Sequence, residues 1–144
     1  MSISTAYSVL ERTSVWVTGT FKDYQGTGIP PGNLTSLTLT LYDESTGQIL
    51  NNRSLQNVLN TNGVTIIGTG EMTWVMDPAD NALIDAAAVT ERHIALFEWT
   101  WGSPERAGKS EIGLQVMNLT KVPTSAIPMV VAAQGVTTVT GRLQ

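Results

Sequence analysis

The chain has 144 residues, 42% of them hydrophobic and only 14% charged, with no cysteine and a formal net charge of −4. This length and apolar fraction suit one domain with a real core, and the missing cysteines exclude disulfides, thiol catalysis and thiolate metal sites. Eight Lys and Arg residues spread along the chain form no basic stripe, which argues against direct nucleic-acid binding. No run approaches the ~20 apolar residues of a membrane span. The charged fraction falls well below the roughly 25% of ordinary soluble domains. Ser, Thr, Asn, Gln and Gly make up the difference, a composition suited to surfaces packed against neighbours. Met1-Ser2-Ile3-Ser4-Thr5-Ala6 has neither the basic start nor the apolar centre of a secretion signal, so the expectation is synthesis in a cytoplasm without export by the usual route.

Residues 1–12 read as an amino-terminal arm. A strand is expected over 13–21, with Val15, Val17, Gly19 and Phe21 on one face and Trp16, Thr18 and Thr20 on the other. A turn at 22–26 follows, then a loop stiffened by Pro30 and Pro31. Residues 36–43 alternate without a fault, Leu37, Leu39 and Leu41 against Thr38, Thr40 and Tyr42, and make the strongest strand signal in the chain. A turn at 44–47 leads to expected strands at 48–53 and 55–60. A further pair, 64–67 and 70–76, is joined at Gly68-Thr69-Gly70 and anchored by Trp74.

Asp77-Pro78-Ala79-Asp80 has the residue order of a helix start: a capping Asp, a Pro at the first position and an acid in the first turn. Ala79, Leu83 and Ala86 then fall on one face of a short helix expected to end near Ala88. Residues 93–101 form the next strand, with His93, Ala95, Phe97, Trp99 and Trp101 on one face and Ile94, Leu96, Glu98 and Thr100 on the other. Both faces begin apolar, so Ile94 and Leu96 need a cover, which the helix, the terminal arm or another subunit could supply. A loop at 102–108 precedes a last core strand at 110–118, with Ile112, Leu114 and Val116 inward. Seven or eight short strands separated by turn signals predict an all-β, immunoglobulin-like antiparallel sandwich over 13–121, with one short crossover helix and extended terminal arms.

The tail at 122–144 is broken by Pro123 and Pro128 and carries Ile127, Met129, Val130, Val131, Val136 and Val139 on extended-type segments. Apolar burial alone does not offset the entropy of ordering such an arm, so it is expected to add hydrogen bonds to an exposed sheet edge, its own or a neighbour's. Ile94, Leu96, Trp101 and those six tail residues are the candidate interaction residues.

Catalytic, cofactor and metal sites are not expected. His93 is the only histidine, and no serine sits in a nucleophile motif. Asp77, Asp80 and Asp85 lack the spacing of a calcium loop, and capping accounts for two of them. Glu98 and Glu111 read as two strand glutamates before they read as a glycosidase pair. Trp74 and Trp99 read as core, while Trp101, and to a lesser degree Trp16, could stack on a sugar.

Phe21-Lys22-Asp23, the run 37–43, the Gly47 turn, the run 74–80 and the run 95–100 together resemble the immunoglobulin-like domains of tailed-phage structural proteins, in particular the amino-terminal domain of baseplate upper proteins. A short, weakly charged, cysteine-free sandwich with terminal arms is also similar to small phage head accessory proteins. The resemblance implies a virion structural protein and no catalytic residues. The leading expectation is a capsid decoration or cement protein that binds the major capsid protein and other copies of itself. A neck, tail or baseplate component is the alternative within that class, and a carbohydrate-binding module is the alternative outside it.

Overall fold

The structure, a computed structural model, describes residues 6–120 and 138–140. In chain order the strands are β1 (Ala6–Leu10), β2 (Trp16–Thr20), β3 (Leu34–Asp43), β4 (Gln56–Asn57), β5 (Val64–Ile66), β6 (Glu71–Val75), β7 (Thr90–Trp101), β8 (Arg106–Met117) and β9 (Thr138–Thr140). They pair into one sheet in the order β1-β8-β7-β3-β4 and a second in the order β5-β6-β2-β9. With β2 as strand B, the first sheet reads A′-G-F-C-C′ and the second D-E-B, the two-sheet division of an immunoglobulin-like sandwich. β9 lies beside β2. Most pairs are antiparallel, but β1 runs parallel to β8 and β9 parallel to β2.

Alternation decides which side of each strand is buried. Leu37, Leu39 and Leu41 of β3, Val17 of β2, Trp74 of β6, Ala95, Phe97 and Trp99 of β7, and Ile112, Leu114 and Val116 of β8 form one core. Its aromatic pairs meet edge to face: Phe21 and Trp99 with ring centroids 5.0 Å apart, Trp74 and Phe97 at 5.6 Å. Gly108, opposite Trp99 in the β7–β8 ladder, must be glycine, because a Cβ there would lie 2.7 Å from the indole ring.

The chain departs from the sequence expectations in four places. The helix expected over 77–88 is a single 3₁₀ turn, Pro78–Asn81, with Ala82 already extended. Side chains from elsewhere take the backbone groups a helix would have paired. Glu91 Oε1 accepts the Ile84 N–H at 2.8 Å and Oε2 the Asp85 N–H at 2.6 Å, while Asn118 Nδ2 donates to the Ala86 and Ala88 carbonyls at 2.9 Å each. Ala79 and Ala86 are exposed, so the predicted apolar helix face does not exist.

The strand expected at 48–53 reduces to one bridge, Ile49 to Tyr42. Asn51 and Asn52 take positive φ of 50° and 57°, which ends extension there. Residues 6–10, assigned to an arm, form β1. The loop at 102–108 is shorter than expected because β8 starts at Arg106. The carboxy-terminal segment meets its expectation where it is described: Val139 pairs with Val17, so residues 138–140 add to the edge of β2 within the same chain.

Candidate functional site

The end of the sandwich formed by the 22–28 turn and the β7–β8 hairpin opens into a groove of about 890 Å³. Three parts of the chain build it. Lys22, Asp23 and Tyr24 come from the first turn, Ser36 and Thr38 from β3, and Glu98, Thr100, Trp101 and Lys109 from the β7–β8 hairpin, with Trp99 behind them.

The 22–28 turn is held by Asp23. Its Oδ1 accepts the Gln25 and Thr27 N–H groups at 2.9 and 3.0 Å, and its own N–H donates to the Thr27 carbonyl at 2.9 Å. These bonds leave Tyr24 at the tip with 76% of its surface exposed. Trp101 is only half-buried and packs one side against the core. Thr100 Oγ1 bridges Thr35 Oγ1 and Ser36 Oγ, 2.6 Å from each, which fixes that wall. Thr38, Glu98 and Lys109 stand in one row across β3, β7 and β8.

The opposite end is closed by buried polar groups. Asp80, fully buried, receives Arg53 Nε at 2.6 Å and Nη2 at 3.1 Å, Asn51 Nδ2 at 2.8 Å and the Asp77 N–H at 2.8 Å. Arg53 Nη1 donates to Gln56 Oε1 and the Asn62 carbonyl, and its guanidinium lies 5.7 Å from the Trp74 ring centre. Sequence reasoning missed Arg53 and took Asp80 for a first-turn helix acid. An Arg beside two asparagines, in a stretch that otherwise reads as strand, was the one available signal.

Nearby, one ligand atom each from Asp43, Glu91 and His93 lie within 4.8 Å of one another, a set that could hold a metal ion. Most of these atoms already have protein partners, although His93 Nδ1 is buried without one among the described residues. His93 Nε2 is 3.0 Å from Glu91 Oε1, and Asp43 Oδ2 accepts the N–H and the hydroxyl of Thr46. The cluster therefore ties β7, the 44–47 turn and the loop before β7 together. Asp77, Asp80 and Asp85 do not gather as a set: Asp77 and Asp80 both meet the Arg53 guanidinium, at 3.6 and 2.6 Å, whereas Asp85 Oδ1 accepts the Ala87 N–H of its own turn.

The predicted interaction residues divide. Ile94 and Leu96 lie on the outer face of the first sheet. Ile94 is buried yet separate from the core cluster, flanked in register by Tyr42 and Gly113. The helix proposed as their cover is not there. Burial and, after it, the carboxylates of Glu111 and Glu44 raise the Tyr42 phenol above its ordinary value. Trp101 belongs to the groove and Val139 to β9, whereas Ile127, Met129, Val130, Val131 and Val136 lie outside the described residues. Trp74 and Trp99 are core, as expected, and Trp16 is 46% exposed on the second sheet. Compared with family models, with curated proteins and with solved structures, the chain matches none.

Proposed function

We propose that this chain is a structural protein of a tailed-phage virion, an immunoglobulin-like module that decorates or cements the head through non-covalent contacts repeated over many copies. The observation that carries this reading is the outer face of the second sheet. There Trp16 stands opposite Val75, both more than two-fifths exposed, Thr18 stands opposite Thr73, and Thr20 opposite Glu71. This is a face with an exposed aromatic, short hydroxyls and one charge. Protein interfaces favour aromatics and deplete charge in their centres, a composition this face shares. The low charge of the whole chain points the same way. The resemblance in sequence order to phage head accessory and baseplate domains supplies the virion context.

The test is to quantify this chain against the major shell protein in purified particles of the phage that encodes it. Hundreds of copies support head decoration, and rings of about six or twelve place the chain at the neck or tail instead. Absence from particles removes the proposal. Within particles, Trp16→Lys is expected to abolish incorporation while leaving the circular dichroism of the isolated chain unchanged.

A further inference from the structure

Beyond assembly, we propose that the groove between the 22–28 turn and the β7–β8 hairpin is a saccharide-binding site. Sugars present two kinds of surface, a C–H face that lies against aromatic rings and a rim of hydroxyls that need acceptors and donors at fixed positions. The groove offers both. Tyr24 and Trp101 supply aromatic surface in one cavity, and aromatic side chains give large contact area with little freedom to lose. Glu98 has no hydrogen bond or ion pair among the described residues, so both carboxylate oxygens are open to sugar hydroxyls. Asp23 engages its own turn through Oδ1 alone, which leaves Oδ2 in reserve.

Charge narrows the ligand class. Lys22 and Lys109 share the cavity lining with Asp23 and Glu98, so the lining carries no net formal charge to concentrate a phosphate or a nucleic acid. A largely neutral, hydroxyl-rich ligand matches that balance.

The parts are also held before any ligand arrives. Asp23 locks the Tyr24 turn, the Thr35–Thr100–Ser36 hydroxyl chain fixes one wall, and Trp101 is seated against the core. Preorganisation of this kind lowers the entropy lost on binding. The site uses a different face from the Trp16–Val75 contact surface and stands or falls independently of the virion reading.

The experiment is saturation-transfer NMR of the isolated full-length chain with maltose, lactose, cellobiose and N,N′-diacetylchitobiose, together with a glycan array. Binding of at least one of these sugars is expected, accompanied by a change in tryptophan fluorescence. Tyr24→Ala and Glu98→Gln, both at positions outside the core, are each expected to weaken that binding at least about tenfold with unchanged thermal stability. Val89→Ala, exposed beside the start of β7 and so at the opposite end of the sandwich from the groove, leaves it unchanged. Failure of every sugar on the array and in the NMR panel overturns the proposal. So does binding that survives both groove substitutions, or a groove that takes only inorganic phosphate or peptide.

Discussion

The two ends of this sandwich treat buried polarity in opposite ways. At the end formed by the 44–47 turn and the 76–90 connection, polar side chains turn inward. Arg53 and Asp80 form a buried, two-pronged ion pair, Glu91 collects backbone N–H groups and His93, and Asn118 holds two carbonyls. At the other end the polar groups of Lys22, Asp23, Glu98 and Lys109 ring a groove open to solvent, around Tyr24 and Trp101. Each end has a fully buried tryptophan as its inner neighbour, Trp74 under Arg53 and Trp99 under Gly108. The difference teaches where the fold is fixed and where it is available. Irregular backbone without helix or sheet pairing is satisfied by side chains at the closed end, and the open end, built on the tight β7–β8 hairpin, has side chains to spare for a ligand.

The most severe way to break this contrast is to remove one partner of the buried ion pair. Asp80→Ala leaves the Arg53 guanidinium inside the protein and strips acceptors from Asn51 and the Asp77 N–H. Loss of one member of a buried pair costs about 3–5 kcal/mol, which urea denaturation measures directly. A loss below about 1 kcal/mol would show that water reaches this end and that it is not closed.

At the other end a smaller loss is expected from Gly108→Ala, since the new methyl must displace the Trp99 indole from 2.7 Å. Overpacking of that kind costs about 1–3 kcal/mol. Because Trp99 backs the groove, the tryptophan emission should shift along with stability, and a shift without loss of stability would mean that the groove wall yields freely.

The same contrast explains what could be read from the chain before its structure. The strands that alternate, above all β3 with Leu37, Leu39 and Leu41 and β7 with Phe97 and Trp99, follow from period-two burial alone. The Asp23 turn and the aromatic groove wall were half-legible, because Tyr24 sits at a glycine turn and Trp101 directly before Gly102. The closed end was not. Asp77-Pro78-Ala79-Asp80 carries genuine helix-start chemistry, but the decision against a helix is made by Glu91 and Asn118, which compete for the same backbone groups from the next strands. Arg53 and Asp80 are 27 residues apart, and no local pattern links them. β1 was hidden in an apparent arm because five residues paired in parallel with Gly113 to Met117 of β8 leave no hairpin signal.

The smallest effect concerns Tyr42, on the outer face of the first sheet with Ile94 and Ile49 as its cross-strand partners. Burial raises its phenol above the ordinary value of 10.0, and the negative charges of Glu111 and Glu44 add to that rise. All three causes disfavour the phenolate in the folded chain. In the unfolded chain the phenol ionises at its ordinary value, so the unfolded state loses its proton first as pH rises. The stability contributed by this group is therefore fully present below pH 10 and is lost as pH climbs from there through the raised folded value. Tyr42→Phe removes the ionisable group but keeps the ring. The expected outcome is a gap between the two proteins that stays constant below pH 10 and moves in favour of the phenylalanine variant above it, read from urea midpoints across the alkaline range. Parallel curves for the two proteins through that range would show that Tyr42 is solvated like an unfolded tyrosine, and that the outer face around Ile94 is wetter than the burial of Ile94 indicates.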